Sequence, residues 1–198
     1  MTKSEVIPLL TQTPSGTVLL EGRRKISDEM AHQAEQVASW LSSEFPLMRF
    51  RSGNATGADE AFSQGVIEVD PSRLEIFAPT ARHRAKSRHP DVTYISTADI
   101  PTDELPQIES ATKTSSPKYE RLIDKRESVP QLKSKANYLL RDTLKVAGSP
   151  SLDYTVPVLA LFYIDPADPD AGGTGHTIRV CRDFGIPVVT QLEWQHWI

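Results

Sequence analysis

From Asp170 to Gly185 the chain reads Asp-Ala-Gly-Gly-Thr-Gly-His-Thr-Ile-Arg-Val-Cys-Arg-Asp-Phe-Gly, with Gly172, Gly173 and Gly175 inside four consecutive positions. An apolar run, Val158 to Ile164, lies just upstream. A helical pattern follows at once: Ile178, Cys181 and Phe184 recur about one turn apart, Gly185 stands as a C-terminal cap, and Pro187 blocks continuation. Glycines turn a chain sharply and bare backbone N–H groups, and the first turn of a helix adds partial positive charge. Such a strand, glycine turn and helix make an anion cradle suited to phosphate, or a tight turn with no ligand.

The same succession recurs upstream. Thr17 to Glu21 is a strand pattern ending in Gly22-Arg23-Arg24, and a helix capped by Ser27 or Asp28 follows, with Met30, Ala34, Val37 and Leu41 on one face. Leu47 to Arg51 is a second strand, broken by Ser52-Gly53-Asn54-Ala55-Thr56-Gly57-Ala58-Asp59, after which Ala61, Phe62 and Val66 mark another helix. Leu74 to Ala78 is a third strand. From Thr80 to Ser116 the chain is polar and proline-rich, with Arg82, His83, Arg84, Lys86, Arg88 and His89 at its start and one weak strand at Val92 to Ile95. Pro117 to Glu127 and Gln131 to Val146 are predicted helices, so an irregular, partly helical insertion is expected over residues 80–135. Val158 to Ile164 and Ile186 to Thr190 complete five strands, and Leu192 to Ile198, with Trp194 and Trp197, is an aromatic tail expected to pack on the domain.

Strands alternating with helices predict a doubly wound α/β fold over residues 1–198 as one domain, with helices on both faces of a mainly parallel sheet. The expected strand order, 3-2-1-4-5, makes strands 1 and 4 neighbours and brings Gly22-Arg23-Arg24, the Gly53 to Asp59 loop and the Gly172 to His176 loop to one crevice.

With 38% hydrophobic and 24% charged residues the chain is globular rather than disordered. A net charge of −4 gives no basic footprint, which sets nucleic acid aside as an expected partner. No apolar run spans a bilayer, so no membrane partner is expected; Met1 to Thr13 reads as a polar leader without secretory features, and a cytoplasmic setting is expected. The single cysteine, Cys181, rules out an internal disulfide and reads as a packed, inert thiol.

A first strand ending in Gly-Arg, a second followed by Ser-Gly-Asn-Ala-Thr-Gly-Ala-Asp and a fourth followed by Gly-Gly-Thr-Gly resemble the SLOG superfamily. That group includes lonely-guy phosphoribohydrolases, the Rossmann-like domain of DNA processing protein A, and small bacterial and phage proteins, to which the similarity is greatest. The resemblance covers about Val18 to Ala78 and Ala136 to Thr190, and implies a Rossmann-like domain that binds a nucleotide or nucleotide-derived ligand, often as a homodimer or higher oligomer. The hydrolase branch carries Pro-Gly-Gly-X-Gly-Thr-X-X-Glu with a catalytic glutamate. Here Ala171, His176 and Arg179 replace the proline, threonine and glutamate. An arginine binds phosphate but does not exchange protons near neutrality, so hydrolase activity is not carried over.

The expected ligand site comprises Gly22, Arg23, Arg24, Gly53, Asn54, Thr56, Gly57, Asp59, Asn137, Arg141, Gly172, Gly173, Thr174, Gly175, His176 and Arg179. Arg23 or Arg24 could grip phosphate, while Asp59 either caps its helix or meets a ribose hydroxyl. His176 either contacts phosphate or is solvated, and Asn137 and Arg141, one turn apart, share a helix face. Glu60 and Asp59 are the catalytic candidates if the site is enzymatic. No cofactor is required and no metal site is assigned; Asp165, Asp168 and Asp170 either collect a divalent ion or form a solvated loop stiffened by Pro166 and Pro169. Three functions remain open: binding a phosphorylated nucleotide or nucleotide-derived signal as sensor, carrier or sequestering protein; N-glycosidic hydrolysis of nucleoside monophosphates; and nucleic-acid handling.

Overall fold

The computed structural model describes residues 1–198. Its elements in order are α1 (Lys3–Gln12), β1 (Thr17–Gly22), α2 (Asp28–Glu44), β2 (Arg49–Ser52), α3 (Ala58–Ile67), β3 (Leu74–Ala78), β4 (Thr93–Ser96), α4 (Leu105–Ser115), α5 (Glu120–Asp124), α6 (Pro130–Ala147), β5 (Leu159–Tyr163), α7 (Gly172–Asp183), β6 (Val188–Thr190) and α8 (Gln191–Trp194). All strand pairs are parallel, and the sheet runs β4-β3-β2-β1-β5-β6.

The sheet therefore has six strands in the order 4-3-2-1-5-6, not five in the order 3-2-1-4-5. The predicted set survives as its interior and far edge, and the weak strand in the insertion adds one more by pairing with β3 from Glu75↔Thr93 to Ala78↔Ser96. Two helices correct the sequence reading. The segment before β1 is helical and packed: α1 buries Val6 and Leu10 and closes its first turn with a Thr2–Glu5 capping box. Residues 105–115 form a helix that buries Ile108, Thr112 and Ser115, and Pro106 is tolerated because it sits in the first turn, where its missing N–H costs nothing. The predicted helix from Pro117 shrinks to one 3₁₀ turn and α5.

Side chains alternate across the strands. Val18, Leu20, Leu159 and Leu161 pack toward α2 and α3, whereas Leu19, Ala160 and Phe162 pack toward α7. The tail folds back as expected. Trp194 is fully buried against Phe62 and donates its indole N–H to the Phe162 carbonyl at 3.0 Å, and Trp197 packs on Trp40. Phe184, expected on the apolar face of α7, lies past the helix end and is exposed.

One strand position is charged and wholly buried. Arg51 pairs with its register partner Glu75 through Nε at 3.0 Å and Nη2 at 2.9 Å, and its Nη1 donates to the carbonyls of Lys145 and Thr155, each at 2.9 Å. Its guanidinium lies against the edge-to-face pair of Phe77 and Tyr154 rings. Four of its five N–H groups have acceptors, so the charge ties β2 and β3 to the end of α6. Arg51→Met would leave the buried Glu75 carboxylate with Arg49 as its one remaining cation, at 3.0 Å from Oε1, and is expected to destabilise the fold by about 2–4 kcal/mol in urea unfolding. Thr56→Ala, on an exposed loop, is expected to change stability by less than about 0.5 kcal/mol.

Candidate functional site

Where β1 and β5 end and the chain leaves the sheet in opposite directions, a crevice of about 810 Å³ opens. Its volume lies within the usual range for small-ligand sites, roughly 300–1,000 Å³. Four segments build it. Glu21 to Lys25 follow β1; Ala55 and Asp59 come from the loop and first turn of α3; Ala171 to Thr174 open α7; and Tyr119, Gln131, Ser134, Lys135, Tyr138, Leu139, Arg141 and Asp142 come from the insertion and α6.

Each glycine turn has its own physical reason. Gly172 has φ +60° and open space around it, and with Gly173 and Thr174 it presents backbone N–H groups that lie too early in α7 to find an intrahelical acceptor. A Cβ on Gly22 would stand 2.7 Å from Tyr163, and one on Gly57, with φ +85°, would stand 2.3 Å from the Arg24 carbonyl oxygen. Both glycines let the loops after β1 and β2 close on one another.

Below the crevice lies a buried group of five charges. Lys145 Nζ donates to Glu21 Oε2 at 2.5 Å and pairs with Asp142 Oδ1 at 3.1 Å. Arg141 Nε faces Asp142 Oδ1 at 3.0 Å, and its Nη1 donates to the Gly53 carbonyl. Asp59 accepts the Gly22 N–H at 3.0 Å and the Ala55 N–H at 3.3 Å. Thr177 donates its hydroxyl to Glu21 Oε1 at 3.0 Å. Desolvation raises the Glu21 carboxyl to about 7 against the pull of Lys145, and raises Asp59 as well.

The structure gathers about half of the sequence-predicted residues. Gly22, Arg23, Arg24, Asp59, Arg141, Gly172, Gly173 and Thr174 line the crevice. Arg23 pairs with Asp165 at 2.7 Å, and Arg24 lies over the Tyr138 ring. Gly53 and Gly175 serve from behind. A Cβ on Gly53 would collide with Arg141 Nη1 at 1.9 Å, and one on Gly175 with the Asp170 backbone at 2.1 Å.

Other expectations are corrected. Glu60 is no general base of this crevice: it is half exposed, pairs with Arg84 at 2.7 Å, and lines a separate cavity of about 120 Å³ with Asn54. Asp59 is committed to the backbone amides of Gly22 and Ala55, so it ties the loops after β1 and β2 together and neither caps its helix nor is free for a ribose hydroxyl. Thr56 is exposed outside the crevice, and Asn137 faces a neighbouring pocket with Thr80 and His83. His176 neither meets phosphate nor lies in water. It is fully buried between the Ser116 hydroxyl at 2.8 Å and the Thr143 hydroxyl at 3.0 Å, and burial lowers it to about 4. Arg179 turns away as well, spending its donors on Ser115 O, Ser116 Oγ and Asp170 O, so it fastens the insertion to α7. The basic loop uses its charges locally: Arg84 on Glu60, Arg88 on the Ala81 carbonyl and the Tyr94 ring. Asp170 lies near Arg182, and Asp165, Asp168 and Asp170 do not come together as a metal-holding group. Cys181 is buried, with its thiol pushed up by desolvation.

No protein-family model matches the chain, and neither does any curated protein sequence. Among solved structures, the fold is similar to that of DNA processing protein A from Helicobacter pylori. The TM-score is 0.50 at 11% identity, over 92% of this chain and 67% of that one. At that identity the likeness is one of fold, and it agrees with the fold expected from the sequence resemblance. That protein's structure is described for its single-stranded DNA binding mode. Setting nucleic acid aside on net charge alone is therefore corrected, because a chain of similar fold binds it. No helix is long and apolar enough to cross a membrane.

Glu21, Lys25, Tyr119, Lys135, Tyr138, Asp142 and Lys145 escaped sequence reasoning. A signal existed on α6: Lys135, Tyr138, Asp142 and Lys145 are spaced three, four and three residues apart, one stripe opposite the apolar one.

Two buried groups give stability a pH dependence of opposite sign. Folded Glu21 holds a proton to about pH 7 against an ordinary 4.5, so its contribution falls as pH rises through that window. Folded His176 refuses a proton until about pH 4 against an ordinary 6.5, so its contribution falls as pH drops below 6.5. In the wild type the slopes oppose between 4.5 and 6.5. Glu21→Gln is expected to remove the slope that opposes the histidine, whose own contribution is a loss on the order of 2–3 kcal/mol between pH 7 and pH 4 in urea titrations.

Proposed function

We propose that the crevice binds a phosphorylated nucleotide or nucleotide-derived ligand, and that the chain is a SLOG-type sensor, carrier or sequestering protein. The observation that carries this reading is the convergence of three recognition elements on one cavity. The unsatisfied amides of Gly172, Gly173 and Thr174 receive phosphate; Arg23, Arg24, Lys25 and Lys135 supply positive charge around the mouth; and the rings of Tyr119 and Tyr138 offer faces for a base. Both rings already carry cations, Arg24 and Arg141 near Tyr138 and Lys118 and Lys135 near Tyr119.

A second reading rests on the similarity to DNA processing protein A. Single-stranded nucleic acid would lay a terminal phosphate and base in the same crevice and run its backbone across the cationic mouth. Cations interleaved with aromatic rings suit that mode, and here they come together only in the fold.

Calorimetry against nucleoside mono-, di- and triphosphates, with short single-stranded oligonucleotides alongside, tests both. A mononucleotide dissociation constant in the micromolar range is expected. Gly173→Asp, which puts a second carboxylate beside Asp142, is expected to weaken binding at least about tenfold, a loss of about 1.4 kcal/mol. Oligonucleotide binding that no mononucleotide competes for, with a steep salt dependence, would favour the second reading. No response to any nucleotide, mono- or polymeric, would refute the crevice as a nucleotide site.

A further inference from the structure

Five ionisable side chains from three elements meet beneath the crevice, and their charges do not balance. Glu21 on β1, Asp59 on α3 and Asp142 on α6 supply three negatives, and Arg141 and Lys145 on α6 supply two positives, each residue 5% exposed or less. A buried unpaired charge is costly, and the groups packed around Glu21 offer no third cation. Lys145 already serves both Glu21 and Asp142, and Arg141 divides itself between Asp142 and the Gly53 carbonyl. From α7, Thr177 offers a neutral hydroxyl and Cys181 a neutral thiol, and His176 is neutral and held by Ser116 and Thr143.

The cluster opens directly onto the phosphate cradle. A Cβ built on Gly173 would lie 3.0 Å from Asp142 Oδ2, so the amides of α7 stand over that carboxylate. Arg141 Nε and Asp142 Oδ1, both buried at the crevice wall, meet each other as an ion pair at 3.0 Å without the alignment of a hydrogen bond.

We propose that an anionic, phosphate-bearing ligand enters this crevice together with one proton from solvent, and that Glu21 takes that proton on Oε1. The two oxygens are not equivalent. Oε2 faces the Lys145 ammonium, which only donates, whereas Oε1 faces the Thr177 hydroxyl, which can reverse and accept. With Glu21 neutral, Lys145 and Arg141 balance Asp59 and Asp142, and the ligand's charge meets no excess of negative charge. The raised carboxyl of Glu21, at about 7, makes the proton available near neutrality. The inference rests on the crevice being an anion site and adds the condition under which it accepts one.

The test uses the full chain with AMP and, separately, inorganic pyrophosphate. Calorimetry at pH 8 in buffers of different ionisation enthalpy is expected to show uptake of about one proton per AMP, with affinity falling about tenfold per pH unit above 7. Glu21→Gln is expected to bind without uptake and with a flat pH profile. Should that variant fold poorly, the ¹³C carboxyl signal of Glu21 in the wild type gives the same answer: its midpoint is expected to rise when AMP is added. Binding of either probe without proton uptake, or a Glu21 midpoint below pH 5 in free protein, overturns this inference and leaves the nucleotide reading standing. Absence of binding of both probes at pH 6 and at pH 8 overturns this inference, and the nucleotide reading falls with it if the nucleoside di- and triphosphates and the oligonucleotides give no response either.

Discussion

The contact on which the site depends is the bond from Lys145 to Glu21. It joins the last turns of α6 to the end of β1, residues 124 positions apart in sequence. Around it Asp142, Arg141 and Asp59 complete a charged floor, and the strands and helices above inherit their relative positions from it. Charged groups this deep require partners in fixed places, so the floor tolerates few alternative arrangements. Its geometry makes the loop after β1, the loop after β2 and the start of α7 converge.

A second buried charge performs a different task on the same face of the sheet. Arg51 holds Glu75 and two carbonyls, fastening β2 and β3 to the region where α6 ends and the chain turns toward β5. Arg179 and His176, both buried or turned inward on α7, grip Ser116 and so hold the insertion that carries Tyr119. Two residues that sequence reasoning assigned to a ligand thus position the wall of the crevice. The distinction matters chemically. A polar residue spent on internal partners has no donor left for phosphate, whereas Arg24 and Lys25, with neither a hydrogen bond nor an ion pair of their own to a carboxylate, face the opening.

The place where the hydrolases that the sequence resembles keep a glutamate is occupied by Arg179, yet the crevice is not without an acid. Glu21 approaches from the opposite side, off β1, and its carboxyl changes charge near neutrality because burial outweighs Lys145. No glycine motif announces that carboxyl, which belongs to the crevice only because β1 ends there.

By itself the sequence determined the α/β class, the parallel pairing, the five strands from Thr17 to Thr190 and the meeting of three glycine turns, because these follow from local periodicity and from what glycine and proline allow the backbone to do. It also determined that the aromatic tail packs inward. What it left undecided was the sixth strand, whose four residues pair only because β3 offers a free edge, and α1 and α4, short helices whose apolar faces are defined by the surface they cover. The division of labour among polar residues was likewise a tertiary matter. Glu21, Asp142 and Lys145 form a floor, and His176 and Arg179 form a brace, because contacts 33 to 156 residues apart consume or spare their hydrogen-bonding capacity, and no local pattern records which partner a side chain will find.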